Sequence, residues 1–299
     1  MPCGYAEGGG VMNKGLTMSL IEAKNMSFTY PDGSKALQDV NLKVEKGEFV
    51  GLLASNGSGK TTLLRCLNNL IKPQTGEVSI DGKGIAGLPQ KILFQRIGMV
   101  FQNPNDQLFA STVAEDVAFG PSNMGLSKDE VKSSVDEALK AVGMDDLGKK
   151  SIHNLSFGQQ KRVCIAGALA MHPEVLLLDE PTAGLDPMGE HKIMELLQKL
   201  NNERGLTIVM ATHMVDMVPL FIDRIYILSR GKVLREGTPE KVFSDPEMIK
   251  DAKLRLPMIA ELIELMRQED GIYFDRTPLT IGEARRELVK MITLRELKK

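Results

Sequence analysis

The chain has 299 residues, which at about 150 residues per domain predicts one large domain or two of ordinary size. Hydrophobic residues make up 42% of the chain and charged residues 25%, values that exclude a disordered or a fibrous protein. Lys and Arg number 37 against 39 Asp and Glu, and no long basic run is present, so we expect no nucleic-acid partner.

The first part of the chain predicts a tail followed by β-structure. Residues 1–19 are rich in glycine and lack the features of a secretory signal, so we expect a flexible N-terminal tail. Three β-rich runs follow, separated by turn signals at residues 31–33 and 46–47, and we interpret them as an antiparallel opening. These runs read IEAKNMSFTY, ALQDVNLKV and EFVGLLA. Further on, EVSIDGKGI predicts a hairpin that turns at Asp81 and Gly82.

Helical patterns and buried strands fill the rest of the chain. Residues from about 104 to 165 predict an inserted helical subdomain, in which Ser127 and Glu130 form a capping box. The apolar runs VLLLD, LTIVMAT and RIYILSR alternate with helical patterns, which indicates a buried parallel sheet. Residues 246–299 predict a small C-terminal helical domain beyond a main domain at 20–245. The fold class is therefore α/β.

The turn after the third β-run has the composition of a phosphate-binding loop. It reads ASNGSGKTT over residues 54–62 and lies between a predicted strand and a predicted helix. Backbone N–H groups would face the phosphates, Lys60 can reach the β- and γ-phosphates, and the Thr61 hydroxyl can bind Mg²⁺. Ala54 departs from the glycine that usually opens this pattern, and alanine resists a positive φ. The predicted ATP-binding residues are Ser55, Asn56, Gly57, Ser58, Gly59, Lys60, Thr61 and Thr62.

An acidic pair lies at the end of the buried strand VLLLD, where Asp179 is the last strand residue and Glu180 follows it. Asp179 suits a Mg²⁺ contact, and Glu180 suits a base that polarises the attacking water, since neighbouring strand residues point to opposite sides. Taken alone, such a pair is more often an ordinary strand end or a helix cap. Downstream of a phosphate loop, it predicts a nucleotide-hydrolysing site.

Four further motifs occur in a recognisable order. They are VFQNP with Gln102, LSFGQ at 155–159, EPTAGLD at 180–186 and ATH at 211–213. With the phosphate loop, they make the chain resemble the nucleotide-binding subunits of ABC transporters over about residues 20–245. The segments NPNDQLFASTVAEDVAFGP and LPMIAELIELM, with PLTIGEA, resemble the ATPases of energy-coupling-factor importers for cobalt, nickel and vitamins.

The resemblance implies roles for residues that the pattern alone leaves open. It implies that Tyr30 stacks on adenine, although a core or surface tyrosine is the alternative and Phe28 is the competing aromatic. Gln102 would join Mg²⁺ and the attacking water. His213 would contact the γ-phosphate and hold Glu180, and the catalytic set would be Glu180, His213 and Lys60. The metal ligands would be Thr61, Gln102 and Asp179.

The resemblance implies that the LSFGQ segment at 155–159, called the signature region below, completes the nucleotide site of a facing subunit. Its implied nucleotide-binding residues are Ser156, Gly158 and Gln159, and Asp186 of the EPTAGLD motif is a further implied nucleotide-binding residue. Phe157 departs from the usual glycine, and its side chain is acceptable only if it points away from the phosphate. The expected fold is a P-loop ABC ATPase core with an antiparallel β-subdomain and a helical subdomain.

The function implied is ATP hydrolysis that drives import, with ATP and Mg²⁺ as cofactors. The expected partners are a second ATPase, identical or related, a transmembrane coupling protein and a substrate-binding membrane protein. The longest apolar runs are about half of the roughly 20 residues that span a bilayer, and three cysteines lack CxxC spacing. We therefore expect a peripheral protein on the cytoplasmic face of the membrane. The alternatives are a non-transport ABC ATPase of DNA repair or translation, a P-loop small-molecule kinase and a catalytically silent subunit.

Overall fold

The computed structural model describes residues 19–296, with side chains as far as residue 293. The predicted N-terminal tail lies almost wholly outside the described residues. The strands are β1 (Ser19–Thr29), β2 (Lys35–Glu45), β3 (Phe49–Leu53), β4 (Thr75–Ile80), β5 (Lys83–Gly84), β6 (Ile97–Val100), β7 (Val175–Asp179), β8 (Thr207–Thr212), β9 (Arg224–Ser229) and β10 (Lys232–Gly237). The helices are α1 (Lys60–Leu67), α2 (Gln90–Arg96), α3 (Val113–Asn123), α4 (Lys128–Ala141), α5 (Phe157–Leu169), α6 (Pro187–Arg204), α7 (Val218–Phe221), α8 (Pro239–Phe243), α9 (Pro246–Asp251), α10 (Met258–Glu269) and α11 (Ile281–Glu296).

A four-stranded antiparallel sheet forms the first layer, in the order β2-β1-β4-β5. The β4–β5 hairpin turns at Asp81 and Gly82, whose φ values are 47° and 69°, as a type I′ turn requires. The predicted hairpin is therefore confirmed. The antiparallel pairing of β1 with β2 confirms the first two runs of the predicted opening.

The prediction is wrong for the third β-run, which does not belong to the antiparallel sheet. β3 joins a second, six-stranded sheet, of order β10-β9-β3-β8-β7-β6, where it pairs in parallel with β8 and β9. All five residues of β3 are buried, and a strand covered on both faces belongs in a parallel sheet. Strands β6 and β10 were not predicted.

The helical subdomain is built from α3, α4 and α5, and each of these helices begins with a capping box. The N-cap residues are Thr112, Ser127 and Ser156, and the side chain of each accepts from the backbone N–H three residues later. These caps satisfy amide groups that the helices leave unpaired at their first turn. The capping box predicted at Ser127 is confirmed.

Two hydrophobic clusters hold the layers together. One contains apolar residues of the antiparallel sheet and α1, and the other contains the helical subdomain and α6. The C-terminal segment is helical as predicted, and its Ile249, Ala252, Ala260 and Leu279 are buried in the second cluster. Its treatment as a separate domain stays a prediction. Among residues 19–296, no helix combines the length and the apolar character needed to cross a membrane.

Candidate ATP-binding site

The phosphate loop connects the end of β3 to the start of α1 in a conformation that requires glycine. Gly59 is the N-cap of α1 and has a φ of 102°. A Cβ atom at this position would lie 2.4 Å from the Ala36 carbonyl oxygen, a distance shorter than any stable contact. Gly59 therefore sets the entry of the chain into α1.

Ala54 fits its position without backbone strain. It is fully buried and keeps a negative φ, and its carbonyl oxygen accepts a hydrogen bond of 2.8 Å from the Lys60 Nζ atom. Because the loop does not need a positive φ here, the missing glycine carries no conformational cost.

Two single substitutions test the different backbone requirements at Ala54 and Gly59. Ala54→Gly should leave the Kd for ATP within about twofold, whereas Gly59→Ala should weaken binding at least about tenfold through the clash and the positive φ. Titration of each purified variant with ATP measures the effect. A large loss in Ala54→Gly would mean that the methyl group itself is required.

Lys60 occupies the centre of the site. Its side chain is buried, and Nζ donates to the carbonyl oxygens of Ala54 at 2.8 Å and Ser55 at 3.3 Å. The same nitrogen lies 3.3 Å from Oε1 of Glu180. The lysine therefore joins the phosphate loop to the acidic pair at the end of β7.

Asp179 closes the other side of the loop. Its Oδ2 accepts a hydrogen bond of 2.6 Å from the Thr61 hydroxyl, while Oδ1 is buried with no hydrogen-bond partner among the described residues. Burial raises the pKa of Asp179 above its ordinary value, and the hydrogen bond from Thr61 opposes this shift. An alcohol and an unsatisfied carboxylate oxygen side by side suit a hard cation such as Mg²⁺.

Glu180 is held by both its backbone and its carboxylate. It adopts a φ of 48°, unusual for a residue with a side chain, and its N–H donates to the Ala211 carbonyl at 3.0 Å. Its Oε2 lies 2.9 Å from Nδ1 of His213. The predicted partnership of Glu180 with His213 is thus present in the geometry.

These groups line a cavity of about 430 Å³. Tyr30 lies on its wall, with its hydroxyl 2.9 Å from that of Thr62, and the ring of Phe28 packs edge-on against Tyr30 at 5.0 Å. Of the two competing aromatics, Tyr30 is the one that borders the cavity. The lining residues are Tyr30, Ser34, Lys35, Ala36, Asn56, Gly57, Ser58, Gly59, Lys60, Thr61, Thr62, Gln102, Asp179 and Glu180.

The remaining predicted site residues lie outside this cavity lining. Ser156 and Gln159 form the capping box of α5, and Asp186 caps α6 by accepting from the Gly189 N–H. Gly158 belongs to the first turn of α5, and His213 reaches Glu180 from a half-exposed position. Within one chain, the signature residues are therefore not brought to the phosphate loop.

Phe157 is accommodated by the chain's own loop after Glu180. A Cβ atom on Gly184 would lie 2.9 Å from Cε1 of Phe157, so the ring occupies the space that a side chain at 184 would need. Gly184, which has a φ of 82°, provides that space. The Phe157 ring thus contacts Gly184 of its own subunit, although the residue remains 37% exposed.

Lys161 is a residue that the sequence analysis missed. It lies in α5 and is only 1% exposed, although its side chain carries an ammonium group. Its spacing to Cys164, Ile165 and Ala168 places it on a buried face of the helix. That spacing is the sequence signal from which the burial of Lys161 could have been predicted.

Comparison with known proteins assigns the family. A family model described as ABC transporter matches residues 37–183. The energy-coupling factor transporter ATP-binding protein EcfA of Methanocaldococcus jannaschii is 53% identical over 277 residues, which cover 92% of this chain and 99% of the relative. EcfA2 of Clostridium perfringens is 45% identical over 271 residues, covering 90% of this chain and 95% of the relative.

Solved structures agree with these relatives. The structure of cbiO1 from Clostridium perfringens, described as part of the ABC transporter complex cbiONQ, matches with a TM-score of 0.72 and 44% identity over 82% of this chain and 99% of that chain. The dimeric ATP-binding cassette MJ0796 bound to ADP and Pi matches with a TM-score of 0.66 and 37% identity, over 73% of this chain and 98% of that chain. The chain therefore belongs to the ATP-binding subunits of ABC transporters, of the energy-coupling factor type, and is an ATPase.

Proposed function

We propose that this chain hydrolyses ATP to drive uptake of a cobalt ion, a nickel ion or a vitamin through separate membrane subunits. The observation that carries this proposal is the exposed aromatic pair Phe109 and Phe119, which follows Gln102 in the chain. A transport ATPase needs a docking surface through which a membrane partner can move Gln102 and the nucleotide site. The similarity to a subunit of cbiONQ supports it. The alternative is a non-transport ABC ATPase of DNA repair or translation.

The contacts in the cavity support the hydrolytic roles proposed here. Lys60 binds the β- and γ-phosphates, and Thr61, Asp179 and Gln102 hold Mg²⁺. The ion, when bound, neutralises charge on the phosphates.

The water-activating group is Glu180. Its carboxylate polarises the attacking water, and His213 fixes the orientation of that carboxylate through the 2.9 Å contact. Tyr30, on the cavity wall, stacks on adenine.

The site is completed across a dimer. Ser156, Gly158, Gln159 and Asp186 are outside the cavity of their own chain, which suits residues that act on the nucleotide of a facing subunit. The MJ0796 cassette was solved as a dimer with ADP and Pi. The facing subunit is either a second copy of this chain or a related ATPase.

The docking surface consists of Asp106, Phe109 and Phe119. Phe109 is 65% exposed, and its ring packs edge-on against that of Phe119, with 4.6 Å between centroids. Leu108, on the same segment, instead packs against the core. Asp106 is exposed on the same loop, so the surface suits an amphipathic helix with a basic residue. Docking there puts the chain on the cytoplasmic face of the membrane.

Charge reversal on the docking surface tests this assignment. Asp106→Lys should abolish transport and partner-stimulated ATPase activity but leave ATP binding unchanged, because like charges at an interface cost several kcal/mol. Asp136→Lys, at an exposed position of α4, is the matched control. Transport at the unmutated rate with the membrane partner still bound would locate docking elsewhere.

Co-purification and uptake test the function as a whole. The tagged chain, isolated in mild detergent from cells that express it with its chromosomal neighbours, should retain a coupling protein and a small substrate-binding membrane protein. Cells carrying these subunits should accumulate labelled Co²⁺, Ni²⁺ or a vitamin in an ATP-dependent way. Retention of ribosomal or DNA-repair proteins instead, with no uptake, would favour the alternative.

A further inference from the structure

Lys161 brings three parts of the site together. Its Nζ donates to the backbone carbonyl oxygen of Gln102 and to that of Glu180, the latter at 3.3 Å. The same nitrogen lies 5.5 Å from the ring centroid of Phe157, in the signature segment. One buried ammonium thus contacts the loop that contains Gln102, called the glutamine loop below, the backbone of Glu180 and the first turn of α5.

Burial of a cation is costly, so this arrangement calls for an explanation. Burial lowers the pKa of Lys161, and the nearby Cys164, Glu180 and Asp179 oppose that shift. A methionine or leucine would fill the same space without a desolvation cost. The ammonium therefore provides something that packing does not, namely charge-assisted hydrogen bonds to carbonyl groups on two separate segments.

The contact at Glu180 restrains a strained residue. The Glu180 carbonyl oxygen accepts from Lys161 and also from the Ala183 N–H at 3.1 Å, while its own N–H is bound to Ala211. A residue with a side chain keeps a φ of 48° only when its surroundings hold it there. The direction of the Glu180 carboxylate depends on that backbone conformation.

The glutamine loop has a second attachment to α5. Gln107 accepts from the Phe101 N–H at 3.0 Å and donates to the Cys164 carbonyl at 3.1 Å. Loss of Lys161 therefore leaves the loop attached to the helix at Cys164. What is lost specifically is the link between Gln102, Glu180 and α5.

We propose that Lys161 is a positioning residue for ATP hydrolysis, which holds the backbones of Gln102 and Glu180 against α5 so that the Glu180 carboxylate is oriented for the attacking water. Movement of the glutamine loop or of α5 then reaches the glutamate through one side chain. The proposal rests on the role of Glu180 proposed above.

Lys161→Met tests it, because methionine keeps the unbranched stem and removes both hydrogen bonds. The kcat for ATP should fall about ten- to hundredfold, while the KM and the Kd for ATP stay within about threefold. Arg162→Met is the matched control: Arg162 is the next residue of α5 and donates to the Val142 carbonyl, away from the site. Its kcat should stay within about twofold of the unmutated protein.

Two further readouts distinguish positioning from a general loss of structure. Hydrogen exchange without nucleotide should be faster in Lys161→Met than in the unmutated chain for peptides covering 101–107 and 180–186, with the peptides of α4 unchanged. In single-turnover assays, adding Lys161→Met to Glu180→Gln should reduce the residual rate by less than about twofold, since the group that Lys161 orients is already neutral.

Several results would overturn the proposal. These are an unchanged kcat, a raised KM at constant kcat, equal losses in Lys161→Met and Arg162→Met, or a further tenfold loss in the Glu180→Gln background. Should Lys161→Met fail to fold, Lys161→Gln retains one donor and should fold with an intermediate kcat; failure of both would assign Lys161 to folding alone. An unchanged kcat in Glu180→Gln would show that the proposed role of Glu180 is wrong. The Lys161 variants do not test that role.

Discussion

Glu180→Gln should lower ATP turnover by about two orders of magnitude and leave ATP binding nearly intact. Glutamine has the same shape as glutamate, so the contact with His213 and the fold around it are retained, whereas the base is lost. The substitution also removes the ion pair between Glu180 and Lys60 at 3.3 Å, which leaves Lys60 available to the phosphates. Steady-state ATPase assays and ATP titration of the same preparation measure both effects.

Glu195→Gln is the control for this change, because Glu195 is an exposed glutamate on α6 that does not line the cavity. Its turnover should equal that of the unmutated chain. Turnover that is unchanged in Glu180→Gln would remove Glu180 from the mechanism.

Lys60→Ala should weaken ATP binding itself, by about ten- to hundredfold in Kd. The substitution deletes the proposed charge-assisted contact with the phosphates, and it leaves the buried Glu180 carboxylate without the ammonium that pairs with it. Titration with ATP measures the Kd, and a thermal melt of the nucleotide-free protein reports any separate loss of stability.

Lys72→Ala, at an exposed lysine just beyond α1, controls for the removal of a positive charge near this helix. It should bind ATP with unchanged affinity. A Lys60→Ala variant that binds ATP normally and loses only turnover would show that Lys60 acts on the transition state and not on the bound nucleotide.

The sequence alone determined the parts of the site that are continuous along the chain. The phosphate loop at 54–62 could be predicted because its strand, its glycines and its Lys-Thr pair are neighbours in sequence, and local conformation follows from local residue types. The acidic pair at the end of β7 was predictable for the same reason. The hairpin at Asp81 and the capping box at Ser127 likewise depend on residues within a few positions of each other.

The tertiary structure alone decided what depends on distant segments. β3 lies between β8 and β9, because a strand buried on both faces pairs where helices cover the sheet, and its own residues do not specify those partners. The short β6 has four residues, too few for a clear periodicity. A pattern along one strand or helix reports which face is buried, but not which segment covers it.

The same limit applies to the chemistry of the site. Lys60 and Glu180 form their ion pair, and Lys161 joins Gln102 to Glu180, across segments far apart in sequence. The direction of Phe157 depends on the space beside Gly184. Residue types along the chain determined which groups could bind and hydrolyse ATP. The packing of α5 against the loops after β6 and β7 decided how those groups are held, because such contacts exist only once the separate segments have folded together.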